Sequence, residues 1–388
     1  LTEQGAGGIE LVATAAFGVE AVVARELQQL GFSHQEVENG RVTFRSSPQG
    51  VCRANLWLRS ADRVLLKMGE FSARTFEELF EGTRALPWPD WIPRQGAFPV
   101  RGKSVRSQLA SVPACQAIVK KAIVEKMAQH YRQQWFAETG PVFPVEVALL
   151  KDRVTLTIDT SGPGLHKRGY RVRPTAAPLK ETLAAAMVQL SRWRPERELV
   201  DPLCGSGTIP IEAALLGFNL APGLRRRFVA ENWPAVPEQL WRQERARAMD
   251  QAHLDRRLEV WGADADAAAI AAAQANAEAA GLGGRVRWRC QPVSRLASRG
   301  QFGWLVCNPP YGERMGEARA VEDLYRELGR VYRRLETWSC FVLTSHPGFE
   351  RLFGRRADRR RKLYNGRLQC TLFQFFGPRP PGPRPRGE

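Results

Sequence analysis

Trp304-Leu-Val-Cys-Asn308-Pro-Pro-Tyr311-Gly-Glu-Arg314 decides how the chain is read. Its apolar run stops abruptly at Asn308, Pro309, Pro310 and Tyr311, which predicts a buried parallel strand whose carboxyl end opens into a stiff loop. Open α/β sheets bind ligands at that end. The same four residues suit methylation of the exocyclic amine of a planar base, whose nitrogen lone pair is delocalised into the ring. The Asn308 side-chain oxygen and the Pro309 carbonyl can accept the two amine N–H bonds and favour a pyramidal nitrogen. The prolines fix φ, and Tyr311 offers a ring face to an extruded or single-stranded base. No strong base is needed, because the proton leaves a cationic amine after transfer. A strand closed by a proline turn reads the same in isolation, so context decides.

At 388 residues, 44% of them hydrophobic, the chain is long enough for two or three globular domains. No apolar run approaches the ~18 residues of a membrane span, and no basic-then-apolar export signal opens the sequence. The expectation is a soluble cytoplasmic protein. Seven cysteines stand singly, and five histidines do not gather near them. Neither a disulfide frame nor a metal site is expected. A net charge of +17 points to a polyanionic partner, nucleic acid, although a basic surface kept for solubility gives the same number.

The N-terminal half carries no catalytic constellation. Strand Ile9 to Thr14, a helix to Leu30, a hairpin turning at Asn39-Gly40, a helix through Leu56 and strand Val64 to Phe71 give a ferredoxin-like β-α-β-β-α-β order. A basic strand and turn, Phe98 to Arg106, precedes a helix opened by Pro113 and a hairpin from Val142 to Ile158. Arg101, Lys103, Arg106, Lys120 and Lys121 can form a phosphate-tracking surface or simply a solvated face. Ser161-Gly-Pro-Gly-Leu165 reads as the domain boundary. The basic, aromatic segment His166 to Arg173 after it either touches nucleic acid or bridges the domains. From Gly377 the Pro-, Gly- and Arg-rich tail is expected to be disordered.

In the C-terminal half, a helix from Pro178 to Leu190 precedes strand Glu198 to Asp201, which runs into Pro202-Leu-Cys-Gly205-Ser206-Gly207-Thr208. Gly205 and Gly207 let backbone approach a ligand, and the helix from Thr208 directs its N-terminal amides at it. The turn lacks the third glycine of the dinucleotide fingerprint. Asp201 would repel a pyrophosphate but suits the ammonium of a methionine moiety, which favours S-adenosylmethionine over NAD. Asp264, ending the second strand, is placed to grip ribose hydroxyls, while Asp266 caps the alanine-rich helix behind it. A third strand ends at Cys290 and the fourth at Asn308; a helix from Glu322, a strand at Cys340 to Thr344 and a final strand pair complete a mostly parallel sheet. The segment between Pro222 and Asp255 interrupts this core, as a substrate-side insertion or an exposed basic loop. Arg355, Arg356 and the run Arg359 to Lys362 can hold backbone phosphates near the reactive loop.

Together, Asp201 to Thr208, Asn308 to Arg314, Leu179-Lys-Glu-Thr182-Leu-Ala184, His166 to Tyr170 and Lys362-Leu-Tyr-Asn365-Gly366 resemble the THUMP-domain RNA guanine methyltransferases, nearest the ribosomal RNA large subunit methyltransferase L type. The resemblance implies a ferredoxin-like layer at 1–70, an α+β THUMP RNA-binding domain at 71–160 and a class I, Rossmann-like S-adenosylmethionine-dependent methyltransferase domain with a seven-stranded sheet at 161–376, followed by a tail at 377–388. It implies 2-methylguanosine as product, large-subunit ribosomal RNA as partner, and neither DNA, membrane nor metal. Asn308, Pro309, Pro310 and Tyr311 become the reactive loop; Thr182, Asp201, Gly205, Ser206, Gly207, Thr208, Asp264 and Gln291 the cofactor contacts; Arg101, Lys103, Arg106, Lys120, Lys362 and Asn365 the RNA contacts. Family members often place an acidic residue where Gln291 stands, and a glutamine carbonyl can accept the same adenine hydrogen bond. Some relatives carry a second methyltransferase domain behind the first; this chain ends without one, so a single modification is expected. A transfer RNA guanine methyltransferase shares both modules. A DNA adenine methyltransferase uses the same loop, and a non-catalytic RNA-binding assembly factor would need no amine acceptor.

Overall fold

The computed structural model describes residues 8–173, 179–312 and 318–381. In chain order the first half contains β1 (Ile9–Ala15), α1 (Glu20–Gln29), β2 (Gln35–Glu38), β3 (Arg41–Ser46), α2 (Pro48–Trp57), β4 (Ala61–Ser72), α3 (Phe76–Arg84), β5 (Val100–Val105), α4 (Val112–Tyr131), β6 (Val145–Leu150) and β7 (Arg153–Asp159). The second half contains α5 (Glu181–Leu190), β8 (Leu199–Asp201), α6 (Thr208–Gly217), α7 (Glu238–Asp250), β9 (Val260–Asp264), α8 (Ala267–Ala279), β10 (Arg287–Cys290), β11 (Trp304–Cys307), α9 (Ala318–Arg334), β12 (Ser339–Thr344), α10 (Phe349–Phe353), β13 (Arg359–Asn365) and β14 (Leu368–Phe375).

The chain divides into two compact units. The first comprises Leu1–Ala15, Val23–Leu165 and Pro222–Asp250. Its seven strands form one sheet in the order β2-β3-β1-β4-β7-β6-β5. The ferredoxin-like order predicted for the first four strands is present, but the sheet does not stop there. β4 pairs β1 through Ala61 to Leu66 and β7 through Leu65 to Ser72, so one long strand serves both expected modules. α3 was not foreseen, although Thr75 and Glu78 form a reciprocal capping box at its start.

The insertion Pro222–Asp250 belongs to this first unit rather than to a substrate-side loop. Trp233 stacks on Phe143 at 4.8 Å and donates from Nε1 to the Val142 carbonyl at 2.9 Å. Glu244, buried on α7, accepts from Gln49 at 2.7 Å and Arg53 at 3.2 Å. That cover explains why α2 buries residues around so much of its circumference, Gly50 to Cys52 and Ala54 to Trp57.

The second unit comprises Ala16–Val22, His166–Ala221 and Gln251–Glu388. Its sheet runs β10-β9-β8-β11-β12-β14-β13. β10, β9, β8, β11 and β12 are parallel, and β14 is antiparallel to both β12 and β13. From β8 the chain builds outward to β9 and β10, then returns to lay β11 on the other side of β8. The order reverses between those two strands, which opens a crevice at their carboxyl ends. The glycine turn leaves β8 there and the Asn-Pro-Pro-Tyr loop leaves β11. Leu305, Val306 and Cys307 are fully buried, as the apolar run predicted. Glu313 and Arg314 of that run, Pro178, and the tail beyond residue 381 lie outside the described residues.

Candidate active site

The turn after β8 is built on two left-handed glycines, Gly205 at φ +50° and Gly207 at φ +83°. A Cβ on Gly207 would lie 2.6 Å from the Trp288 ring and 2.9 Å from Ala273, so only glycine fits between α6 and its neighbours. A Cβ on Gly205 would meet nothing within 4 Å: that backbone faces open space, as a ligand cradle requires. Asp264 pins the turn from the end of β9. One carboxylate oxygen accepts the Gly205 N–H and the other the Asp266 N–H, both at 3.0 Å. Asp266 in turn caps α8 through the Ala268 N–H, as read from the sequence.

Asp201 is 2% exposed and accepts the Leu203 N–H at 3.1 Å. Burial pushes its pKa well above the carboxylate range; the Leu203 N–H opposes this, and the nearby Asp264 charge adds to it. No cation pairs with it among the described residues. Gln291, at the end of β10, has a buried Nε2 with no hydrogen-bond partner. Thr182 is buried in the first turn of α5.

Within the second unit, Arg168, Tyr170 and Arg171 of the segment His166 to Arg173 turn inward and lock the turn, while Lys167, Val172 and Arg173 are exposed. Arg171 donates to Ser206 Oγ at 3.1 Å, Thr208 Oγ1 at 3.2 Å, the Leu179 carbonyl at 3.0 Å and Glu181 at 2.9 Å. Arg168 forms a buried ion pair with Glu212, which also accepts the Tyr170 hydroxyl at 3.0 Å. Asn276 accepts the Val172 and Arg173 N–H groups and donates to the Ser206 carbonyl at 3.1 Å. Ser206 and Thr208 therefore spend their hydroxyl oxygens on Arg171, leaving the backbone amides of the first turn of α6 for a ligand. Asn276 and the inward role of Arg171 escaped the sequence reading. The signal was Glu181 and Glu212, acids within apolar helices that need cationic partners if buried.

At the end of β11 the Tyr311 hydroxyl donates to Asn308 Oδ1. Asn365 and Cys370 lie against the same hydroxyl, whose pKa is raised chiefly by burial, so the phenol stays neutral. The Pro310 carbonyl is taken by the Tyr325 hydroxyl at 2.8 Å, while among the described residues no hydrogen bond takes the Pro309 carbonyl. Asn308 Oδ1 keeps a second lone pair beside its bond from Tyr311. The loop thus presents two amide oxygens on a fixed backbone, beside a turn with a buried, unpaired carboxylate.

The basic residues expected to meet RNA have mixed placements. Arg101 and Lys103 project from edge strand β5, with Lys103 paired to Glu146 at 2.7 Å. Arg106 is exposed in a left-handed turn. Lys120 is tied down: it pairs with Glu138, donates to the Phe98 carbonyl at 3.2 Å and lies 3.5 Å over the Phe98 ring. Lys362 is exposed on β13, which ends at Asn365. Among the described residues no helix is long and apolar enough to cross a membrane, and no group of three or more metal-ligating side chains is assembled.

Residues 168–374 match the RMKL-like methyltransferase domain, residues 10–65 the RlmL ferredoxin-like domain and residues 73–159 the THUMP domain. The chain is 49% identical over 368 residues to the putative RNA methyltransferase YpsC of Bacillus subtilis, covering 94% of this chain and 95% of that protein. It is 36% identical to the ribosomal RNA large subunit methyltransferase K/L of Syntrophotalea carbinolica, covering 95% of this chain but about half (53%) of that longer protein. Among solved structures, a predicted N6-adenine-specific DNA methylase from Listeria monocytogenes superposes with a TM-score of 0.92 at 52% identity, covering 96% of this chain and 97% of that one. The putative methyltransferase SMU.472, complexed with SAH, also superposes at 0.92, with 46% identity and coverage of 97% and 100%. The open cradle at Gly205, the unpaired Asp201 and the orphaned amide of Gln291 fit S-adenosylmethionine. With its ferredoxin-like, THUMP and Rossmann-like modules, the chain belongs to the RMKL-like methyltransferase family and uses S-adenosylmethionine as its cofactor.

Proposed function

We propose that this chain, an RNA methyltransferase by its family, methylates the exocyclic 2-amino group of a guanine in large-subunit ribosomal RNA to give 2-methylguanosine. The observation that carries the reading is the meeting, at the reversal of strand order, of a methionine-compatible turn and an Asn-Pro-Pro-Tyr loop. S-adenosylmethionine, when bound, supplies an electrophilic methyl group. Asp201 holds the ammonium, Asp264 takes ribose hydroxyls on lone pairs left beside its two backbone bonds, and the Gln291 amide meets the adenine edge. Asn308 Oδ1 and the Pro309 carbonyl accept the amine N–H bonds, and Tyr311 stacks on the base. The proton then leaves the cationic amine for water.

RNA contacts are assigned to Arg101, Lys103, Arg106, Lys120, Lys362 and Asn365, the Lys120 contribution requiring release from Glu138. The domain limits 1–70, 71–160, 161–376 and 377–388 form part of the same proposal. The DNA methylase name of the Listeria protein marks the rival, since an adenine 6-amine suits the same two acceptors. The matched THUMP domain favours RNA. Mass mapping of methylated nucleosides in total RNA from a deletion strain and its parent tests this. Loss of one 2-methylguanosine from large-subunit RNA supports it; an unchanged RNA profile, or loss from transfer RNA alone, overturns it.

A further inference from the structure

β13 runs in the same direction as β11, because β12 is parallel to β11 and both β12 and β13 are antiparallel to β14. Its last residues, Tyr364 and Asn365, therefore reach the carboxyl edge of the sheet, where Asn365 lies against the Tyr311 hydroxyl. Beside Asn365, the Tyr364 ring meets the Phe17 ring edge to face, centroids 5.8 Å apart. Phe17 is a large aromatic left 45% exposed. It is not there by slack packing. Gly18, at φ +90°, rests so closely on β13 that a Cβ would sit 2.5 Å from the Lys362 carbonyl oxygen, and its N–H is held by Glu20 at 2.8 Å. Lys362 Nζ stands 5.5 Å from the Tyr364 ring centre. Along the strand and its flanks Arg356, Arg359, Lys362 and Arg367 are exposed.

A fixed pair of aromatic rings, with the Lys362 cation beside it and the reactive loop adjoining, matches what single-stranded nucleic acid requires: flat apolar faces for bases and positive charge for the phosphates between them. We propose that Phe17 and Tyr364 form a stacking seat for a nucleotide flanking the methylated one, with Lys362 on its phosphate. The inference rests on the reading of the Asn308 loop as the reactive site and adds the path by which the strand reaches it.

The test compares a fluorescent oligoadenylate with an abasic ribose-phosphate strand of equal length, bound to the full chain at fixed salt. The Phe17→Leu and Tyr364→Leu variants keep apolar bulk but lose the flat face. Each should reduce the preference for the base-bearing strand about tenfold, equivalent to roughly 1.4 kcal/mol, and leave affinity for the abasic strand and for SAH unchanged. Phe17→Trp should restore the preference. An unchanged preference in both leucine variants, or equal losses for both strands, overturns the seat. The readout is independent of transfer: persistent methylation in Asn308→Ala would defeat the reactive-site reading while leaving this comparison intact.

Discussion

The Tyr325 hydroxyl donates to the Pro310 carbonyl at 2.8 Å, tying the buried face of α9 to the backbone of the reactive loop. Because its one proton is committed there, the Thr344 hydroxyl, 2.8 Å away, donates to it, and Thr344 in turn accepts the His346 N–H at 3.1 Å. This chain of hydrogen bonds, each polarising the next, holds the loop against β12. Burial pushes the Tyr325 hydroxyl up to about 12, so it remains a donor throughout the neutral range.

Tyr325→Phe should therefore lower kcat about tenfold, or roughly 1.4 kcal/mol in the barrier, with the KM for S-adenosylmethionine within about twofold of wild type. The stability loss should be near 1 kcal/mol, the net value of one hydrogen bond. Steady-state kinetics with thermal unfolding checks both. An unchanged kcat removes Tyr325 from loop positioning.

Asp201 offers a pH-dependent signature. Its folded pKa lies above the unfolded value of about 3.9, so between the two the native state holds the extra proton. Its contribution is fully present below the unfolded pKa and is lost as pH rises through the folded one. In the cofactor-free protein at neutral pH, Asp201→Asn should raise Tm by about 2 to 4 °C, equivalent to roughly 1 kcal/mol. The gain should shrink as pH falls toward about 4. Affinity for SAH should drop at least about tenfold, the loss of one charged contact. A variant less stable at every pH, with intact SAH binding, contradicts the assignment.

The two turn glycines should separate fold from ligand. Gly207→Ala forces a Cβ into Trp288 and Ala273 and should cost about 1 to 3 kcal/mol of stability. Gly205→Ala has open space at the Cβ and should cost about 1 kcal/mol, while blocking approach of the cofactor. Calorimetry on both variants decides; equal SAH affinity in Gly205→Ala and wild type is the contrary result.

Trp233→Ala should lose about 3 to 5 kcal/mol, since it removes a buried ring stacked on Phe143 and the bond to the Val142 carbonyl. Denaturant unfolding gives the number. A cost below about 0.5 kcal/mol, the range of ordinary surface changes, would mean that the insertion is an independent loop.

The legible parts of this protein were those encoded within a few residues. An apolar tetrad ending in Asn308, glycines at 205 and 207 and the cap at Asp266 each state their geometry locally, and the structure places the strand, turn and helix where they indicate. What could not be read depends on partners far along the chain. Val142 and Trp233 are distant in sequence, as are Gln49 and Glu244, so neither the fate of the insertion nor the full burial of α2 shows in local periodicity. The basic, aromatic segment that holds Arg168 and Arg171 suggested a nucleic-acid contact or a bridge between domains; Glu181 and Glu212 instead hold both side chains inward. Likewise nothing near Tyr311 announces Tyr325 or Asn365, which the sheet order delivers to it.

Methyl transfer by Asn308→Ala tests the central claim most directly. With total RNA from a deletion strain as acceptor and labelled S-adenosylmethionine as donor, the variant should lose transfer by at least about a thousandfold, the upper range for removing one preorganised polar group. Its affinity for RNA and for SAH should stay within about twofold of wild type, below 0.5 kcal/mol. Transfer at the wild-type rate would contradict the assignment of the loop after β11 as the place where the amine is activated.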